Sequence, residues 1–165
     1  MENWVQHRVR LNLSNTVFQV MVLPSYAFEI SDEGQTLGRY ADAALADTVV
    51  FPAFRGEDRE RGHWTLLVTY PWENRLVNYD SAGGDVGMCY QAMSVATFLT
   101  RDSDLDWVAT EGEVAHQRNG VDCGIFVMEV ARAIISGTPL AIDPLAIDAA
   151  RYKIMRELLT GIARS

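Results

Sequence analysis

The pattern of apolar and polar positions predicts a small sheet followed by helices. Asp47–Phe51 is a short β-branched run ending at Pro52, and His63–Tyr70 is a longer run with apolar residues on both faces. Both runs are typical of strands, and two apolar faces place the second at the centre of its sheet. Arg75–Asp80 follows after four residues, which predicts a hairpin with His63–Tyr70. The charged, glycine-bounded stretch Arg55–Gly62 is predicted to be a solvated loop.

Three later segments have the apolar spacing of helices. Val86–Thr100 is amphipathic, and Cys123–Ile135 is apolar nearly all round and ends at Gly137, which favours a buried helix. The last helix is predicted over about Pro144–Ala163. Its apolar stripe consists of Ile147, Ala150, Ile154, Leu158 and Ile162.

The N-terminal part, Met1–Leu37, has the weakest pattern, with a short helix predicted over Trp4–Leu13 and a strand over Val17–Leu23. No repeat, low-complexity tract or linker divides the sequence. We therefore expect one domain over residues 1–165, of the α+β class, with an antiparallel sheet and a central buried helix.

Composition narrows the class of protein. The 165 residues carry 14 Lys+Arg against 22 Asp+Glu, a net charge of −8. This acidic balance opposes binding to a phosphate backbone, so no nucleic-acid partner is expected. The longest apolar runs are far shorter than the roughly 20 residues of a membrane span, so no membrane association is expected either. A chain of about this length can bury a core without disulfides or structural metal.

The two cysteines, Cys89 and Cys123, form no C-x-x-C pair. This usage suits free thiols in a reducing compartment, so an intracellular location is expected. With His63 and His116 they also lack the spacing of metal ligands, so no metal site is predicted.

Cys123 is the first candidate for chemistry. A cysteine in the first turn of a helix lies where backbone N–H groups and the helix dipole stabilise a thiolate. Asn119–Asp122 offers a turn leading into the helix, and Gly124 leaves room for a substrate backbone. The alternative from the residues alone is that Cys123 is a small buried apolar side chain.

A nucleophilic thiol needs a base, and the base needs an orienting acceptor. His63 begins a strand, where its ring can be rigidly aimed. A two-residue or a four-residue hairpin loop places Asp80 on the same face as His63, whereas a three-residue loop places it on the opposite face. The alternatives are a locally bonded His63 and an Asp80 that caps the turn Ser81–Gly84.

An acyl-transfer site also requires donors for a developing oxyanion. Gln117 lies six residues before Cys123. Its side-chain amide can lie beside the backbone N–H of Cys123, which makes Gln117 a candidate oxyanion donor.

Together these motifs resemble a known family. His63-Trp64, Tyr79-Asp80-Ser81 and Gln117-x-Asn119-Gly120-Val121-Asp122-Cys123-Gly124 are similar to the motifs of the ubiquitin-like-protein cysteine proteases, the Ulp/SENP family. The resemblance runs from about Val49 to the C-terminus, and its wording is most similar to the deneddylase branch. It implies a papain-like α+β fold, an antiparallel sheet packed against helices with a central buried helix that starts at the catalytic cysteine.

The resemblance also implies a role for each residue. It makes Cys123 the nucleophile, His63 the base, Asp80 its orienter and Gln117 the oxyanion donor. Family members line a narrow tunnel for the Gly-Gly tail of the modifier with two tryptophans. Trp64 matches one of them and Trp4 is assigned to the other, although the family's Trp-Leu-Asn-Asp reads Trp4-Val5-Gln6-His7 here. The remaining substrate-binding positions are Asn119 and Gly120.

The predicted function is that of a thiol-dependent protease and isopeptidase. It would cleave after the C-terminal Gly-Gly of a ubiquitin-like modifier (SUMO, the cullin-activating modifier or ubiquitin), in deconjugation or precursor processing. We expect no cofactor, a monomer, and action in the cytoplasm or nucleus, including that of a host cell. The alternatives are an effector-type acetyltransferase on a related fold and a catalytically silent modifier-binding module.

Overall fold

The structure is a computed structural model that describes residues 7–13, 16–23, 45–56, 62–83 and 106–160. One mixed sheet has the strand order β1-β2-β3-β4-β5-β6. Its strands are β1 (His7–Leu13), β2 (Thr16–Val22), β3 (Thr48–Arg55), β4 (His63–Tyr70), β5 (Arg75–Tyr79) and β6 (Val108–Glu111), and two helices follow, α1 (Cys123–Ser136) and α2 (Ile147–Thr160). None of the helices in these ranges is long and apolar enough to cross a membrane.

β4 has the predicted bounds and lies inside the sheet between β3 and β5, antiparallel to both. Tyr70 pairs with Arg75, so the hairpin loop has four residues. They form a 3₁₀ turn over Pro71–Glu73, closed by Asn74 in the left-handed region with φ 49°. Of the loop lengths open to the sequence, this is one of the two that set His63 and Asp80 on one face.

The core strands β3, β4 and β5 are antiparallel, as predicted, but β2–β3 and β5–β6 are parallel pairs. Long connections join both parallel pairs, as a parallel crossover requires. β3 also extends beyond the predicted end at Pro52 and continues to Arg55. In the described residues, the pairing of β3 with β2 ends at Val50. Pro52 lacks an N–H but lies beyond this pairing, so it removes no hydrogen bond from it.

The predicted helix over Trp4–Leu13 is wrong where the structure describes it. His7–Leu13 is strand β1, antiparallel to β2, and the strand predicted over Val17–Leu23 is confirmed as Thr16–Val22. The sequence of β1 alternates Val9, Leu11 and Leu13 with polar residues, a period of two that is typical of a strand.

Helix α1 packs against the sheet along its length. It begins at Cys123 and ends at Gly137, whose φ of 63° allows it to cap the helix. The shared core consists of Val20, Val50, Leu66, Val68, Val127 and Val130. Cys123, Phe126, Val127 and Val130 are buried, as expected for the predicted buried helix, whereas Met128 is exposed.

Helix α2 packs on α1 through part of its predicted stripe. Ile147 and Ile154 are buried, but Leu158 is 68% exposed, contrary to the prediction. Near that end the contact between the helices is ionic, since Arg132 Nη2 donates to Glu157 Oε2 at 2.7 Å. The predicted helix over Val86–Thr100 and the stripe residue Ile162 lie outside the described residues.

Candidate active site

His63 and Asp80 form a close hydrogen-bonded pair. His63 Nε2 lies 2.6 Å from Asp80 Oδ1, and the Asp80 side chain is only 1% exposed. Oδ1 of Asp80 also accepts a bond of 2.8 Å from the backbone N–H of Ala82. Asp80 therefore caps the turn and orients His63 at the same time, so the two interpretations left open by the sequence are compatible.

The direction of this bond assigns the histidine nitrogens. A carboxylate only accepts hydrogen bonds, so Nε2 of His63 carries the proton and Nδ1 is left as the basic nitrogen. Arg55 stands opposite His63 in the β3–β4 register, with Nη2 3.9 Å from Asp80 Oδ2. The buried carboxylate therefore has a cation beside each oxygen when His63 is protonated.

Cys123 is the first residue of α1, a free thiol and buried. It lies where the N-terminal dipole of a helix favours a thiolate, as predicted. Within the described residues no hydrogen bond joins Cys123 Sγ to the ring of His63, whereas His63 and Asp80 are bonded. Catalytic hydrogen bonds in unliganded enzymes are often long and shorten when substrate binds.

The turn before Cys123 is built by Asn119. Its Oδ1 accepts from the backbone N–H of Val121 at 2.9 Å and of Asp122 at 3.1 Å, and its Nδ2 donates to Asp122 Oδ2 at 2.6 Å. Asn119 thus delivers the chain into α1. Substrate contacts by Asn119 and Gly120 stay predictions, and none of the described residues beyond its chain neighbours lies within 4 Å of a Cβ built at Gly120.

Gln117 connects this turn to the end of β5. Its Oε1 accepts from Ser81 Oγ at 2.7 Å, and its Nε2 donates to the carbonyl oxygen of Asn119 at 2.5 Å. A second bond of 2.8 Å runs from the Gln117 backbone N–H to the Ser81 carbonyl. The amide has two N–H groups, so one can still donate to a substrate oxygen. Sequence reasoning gave Ser81 no role, and only its place directly after Asp80 pointed to one.

Trp64 lies on the face of the sheet that carries α1, opposite to His63. It is half-buried against the shared core, and its ring centroid lies 4.9 Å from that of Phe54. A Cβ at Gly62 would overlap the Phe54 ring, so glycine is needed for this close approach. Trp64 is therefore a half-buried side chain that packs against the core and directly follows His63 in β4. Trp4 lies outside the described residues.

Tyr79 is the residue before Asp80. Burial, followed by the neighbouring Tyr70, raises the pKa of Tyr79 to about 12. A Cβ at Gly112 would overlap the Tyr79 ring, which shows how closely this side chain is packed. Tyr79 keeps its proton throughout the physiological range and supports the strand that carries Asp80.

Known proteins are similar to this chain in sequence and in fold. The profile of the Ulp1 protease family, C-terminal catalytic domain, matches residues 39–160. NEDD8-specific protease 1 of Arabidopsis thaliana is 32% identical over 73 residues, which cover 44% of this chain and 32% of that protein. The matched segment thus spans about a third of this curated relative.

Solved structures share the fold at lower identity. The C-terminal Ulp1 protease domain in complex with Smt3, the yeast orthologue of SUMO, has a TM-score of 0.66 at 19% identity, covering 86% of this chain and 68% of that one. The Ulp1-like SUMO protease catalytic domain of Chaetomium thermophilum has a TM-score of 0.60 at 22% identity, covering 79% and 58%. The resemblance stated from the motifs is confirmed: the chain belongs to the Ulp1 family of cysteine proteases.

Proposed function

We propose that this chain is a thiol protease and isopeptidase that cleaves after the C-terminal Gly-Gly of a ubiquitin-like modifier. The observation that carries the proposal is the 2.6 Å bond between His63 Nε2 and Asp80 Oδ1, in a fold that starts a helix at Cys123. The similarity to proteins described as NEDD8-specific and SUMO proteases supports a modifier of this class.

The first half of the reaction forms a thioester. Nδ1 of His63 takes the proton of the Cys123 thiol, and Sγ attacks the carbonyl carbon of the terminal glycine. The carbonyl oxygen becomes an oxyanion, which accepts hydrogen bonds from the Gln117 amide and the backbone N–H of Cys123. The C–N bond then breaks, and His63 returns its proton to the leaving amine.

The second half releases the modifier. A water molecule attacks the thioester carbonyl while Nδ1 of His63 takes one of its protons. The C–S bond breaks, the modifier leaves with a free C-terminal carboxylate, and the proton on His63 returns to Cys123. In both halves Asp80 holds the ring in one orientation and stabilises the imidazolium.

A panel of activity probes tests the proposal. Each probe is a different modifier (SUMO, NEDD8 or ubiquitin) with an electrophile in place of its C-terminal carboxylate. We expect covalent capture of at least one probe, seen as a mass shift, and the loss of this capture in Cys123→Ala. The control is Cys89→Ala, which changes the other cysteine and should be captured like the wild type.

Three results would overturn the proposal. Capture that survives Cys123→Ala but is lost in a folded Cys89→Ala would show that Cys89, and not Cys123, is the nucleophile. Failure of every probe, together with acetyl transfer from acetyl-coenzyme A, would make the chain an acetyltransferase. Reversible binding of a modifier without capture or cleavage would make it a silent binding module.

A further inference from the structure

The carboxylate of Asp122, directly before the nucleophile, is held from two sides. Asp122 Oδ2 accepts from Asn119 Nδ2 at 2.6 Å, within the turn. Asp122 Oδ1 accepts an ion-paired hydrogen bond from Arg151 Nη2, which comes from helix α2. Asp122 is buried, and its side chain makes no capping bond to its own helix. Its two oxygens therefore fasten the start of α1 to the turn and to the closing helix.

Burial makes these partners necessary. A buried carboxylate is costly unless its oxygens are hydrogen-bonded, and removing Arg151, whose own side chain is half-exposed, leaves the buried Asp122 charge without its cation. Without Arg151, Asp122 would gain by moving towards water. Because Asp122 is the N-cap of α1, such a movement would carry the backbone N–H and the thiol of Cys123 with it.

A second ion pair joins the same two helices away from the nucleophile. Arg132 Nη2 donates to Glu157 Oε2 at 2.7 Å, and about a third of each side chain is exposed. Arg132 lies in the C-terminal half of α1, nine residues after Cys123 in the sequence. This pair can tether α2 to α1 but cannot set the geometry of the helix start. A variant at Arg132 therefore tests the loss of helix packing without a loss of nucleophile positioning.

We propose that Arg151 is a positioning residue for the nucleophile. Through Asp122 it fixes the start of α1, and with it the positions from which the Cys123 thiol and backbone N–H act in the proposed reaction. The proposal rests on the proposed function of Cys123. It predicts that the loss of Arg151 acts on the chemical step rather than on the binding of the modifier.

The test compares Arg151→Met with Arg132→Met in the Cys89→Ala background, where Cys123 is the single thiol. Three quantities are measured: kcat and KM for a modifier with a C-terminal fluorogenic amide, the midpoint of thermal unfolding, and the rate of alkylation of Cys123 by iodoacetamide. We expect Arg151→Met to lower kcat about tenfold or more, the effect of one charge-assisted hydrogen bond, with KM within about twofold. The alkylation rate should fall as well.

Arg132→Met should lower the unfolding midpoint but leave kcat and alkylation close to the background values. Arg151→Lys, which keeps the charge, should recover part of kcat. If Arg151→Met does not fold, Asp122→Asn tests the same contact, because it keeps the size of the side chain and removes the charge that Arg151 binds. We expect Asp122→Asn to lower kcat. In that background, Arg151→Met should change kcat little further.

The proposal is wrong if Arg151→Met is folded with an unchanged kcat, or if Arg132→Met lowers kcat by the same factor. Additive losses in Asp122→Asn and Arg151→Met would likewise refute it. Alkylation distinguishes this failure from failure of the proposed function. If the wild type cleaves no modifier, the function is wrong, whereas an alkylation rate equal in all variants refutes the role of Arg151.

Discussion

Ser81 Oγ donates a hydrogen bond of 2.7 Å to Oε1 of Gln117, 36 residues later in the chain. Ser81 directly follows Asp80, and Gln117 leads into the turn before Cys123. This bond joins the strand end that holds the His63 ring through Asp80 to the loop that holds the proposed oxyanion donor. Because a hydroxyl donor occupies Oε1, the amide nitrogen of Gln117 is turned towards the other side.

Ser81→Ala should lower kcat through loss of this orientation. A neutral hydrogen bond contributes about 1 kcal/mol, so we expect a decrease of about fivefold in kcat with KM little changed. Gln117→Ala should cost more, about 10²–10³ in kcat, as for the loss of an oxyanion donor. The double variant should be no slower than Gln117→Ala alone. Steady-state kinetics of the three variants check this, and independent losses would contradict it.

Asp80→Asn should lower kcat by about 10⁴, because an amide can turn its N–H towards His63 and impose the wrong tautomer. His63→Ala should remove the base. If the two residues act as a unit, the double variant loses little more than the worse single variant. Circular dichroism should show that all three are folded. Losses that multiply in the double variant would count against the pair.

Gly124→Ala separates stability from activity. Apart from its own stretch of helix, no atom of the described residues lies within 4 Å of a Cβ built at this position. Alanine is better than glycine in a helix by about 1 kcal/mol, so the free energy of unfolding should stay equal or rise. If the open space receives the substrate backbone, kcat/KM should fall. Gly112→Ala is the contrasting variant, since its Cβ would overlap the Tyr79 ring and should lower stability. Full activity in Gly124→Ala would show that the substrate does not need this space.

Trp64 should restrict the tail of the substrate. If the exposed part of the Trp64 indole forms a wall of the tail channel, little room is left for side chains, and a Gly-Gly tail should be cleaved far faster than Gly-Ala or Ala-Gly. Trp64→Ala should slow cleavage and narrow this preference. Since Trp64 packs on the core and on Phe54, thermal unfolding must be measured alongside, with Trp64→Phe as the milder change. Equal rates for all tails in the wild type would disprove the steric selection.

Tyr79 should make stability depend on alkaline pH. Its pKa is raised to about 12 in the folded state by burial and by Tyr70, whereas a tyrosine in the unfolded chain has a pKa of 10.0. Between these values the folded state binds more protons than the unfolded state, so the free energy of unfolding falls as pH rises. Tyr79→Phe should show a weaker fall than the wild type in urea unfolding at pH 9 and pH 11. Tyr152→Phe, at an exposed tyrosine, should retain the wild-type dependence.

Local patterns in the sequence determined the elements that carry the candidate site. The two-faced apolar run set the bounds of β4, and the apolar run closed by Gly137 set α1 from Cys123 onwards. Both patterns depend on which of several neighbouring residues are apolar, and a short stretch of sequence contains this information. Motif spacing then selected Cys123 and His63 among the cysteines and histidines and identified the family.

Tertiary structure decided what depends on partners far along the chain. The four-residue loop, and with it the shared face of His63 and Asp80, follows from the register of β4 and β5. β1 is a strand because β2 supplies its backbone hydrogen bonds, although its sequence also allowed a short helix. The bonds from Ser81 to Gln117 and from Arg151 to Asp122 join residues 36 and 29 positions apart. A sequence pattern extends over one helix or strand, so contacts between elements are fixed only when the chain packs.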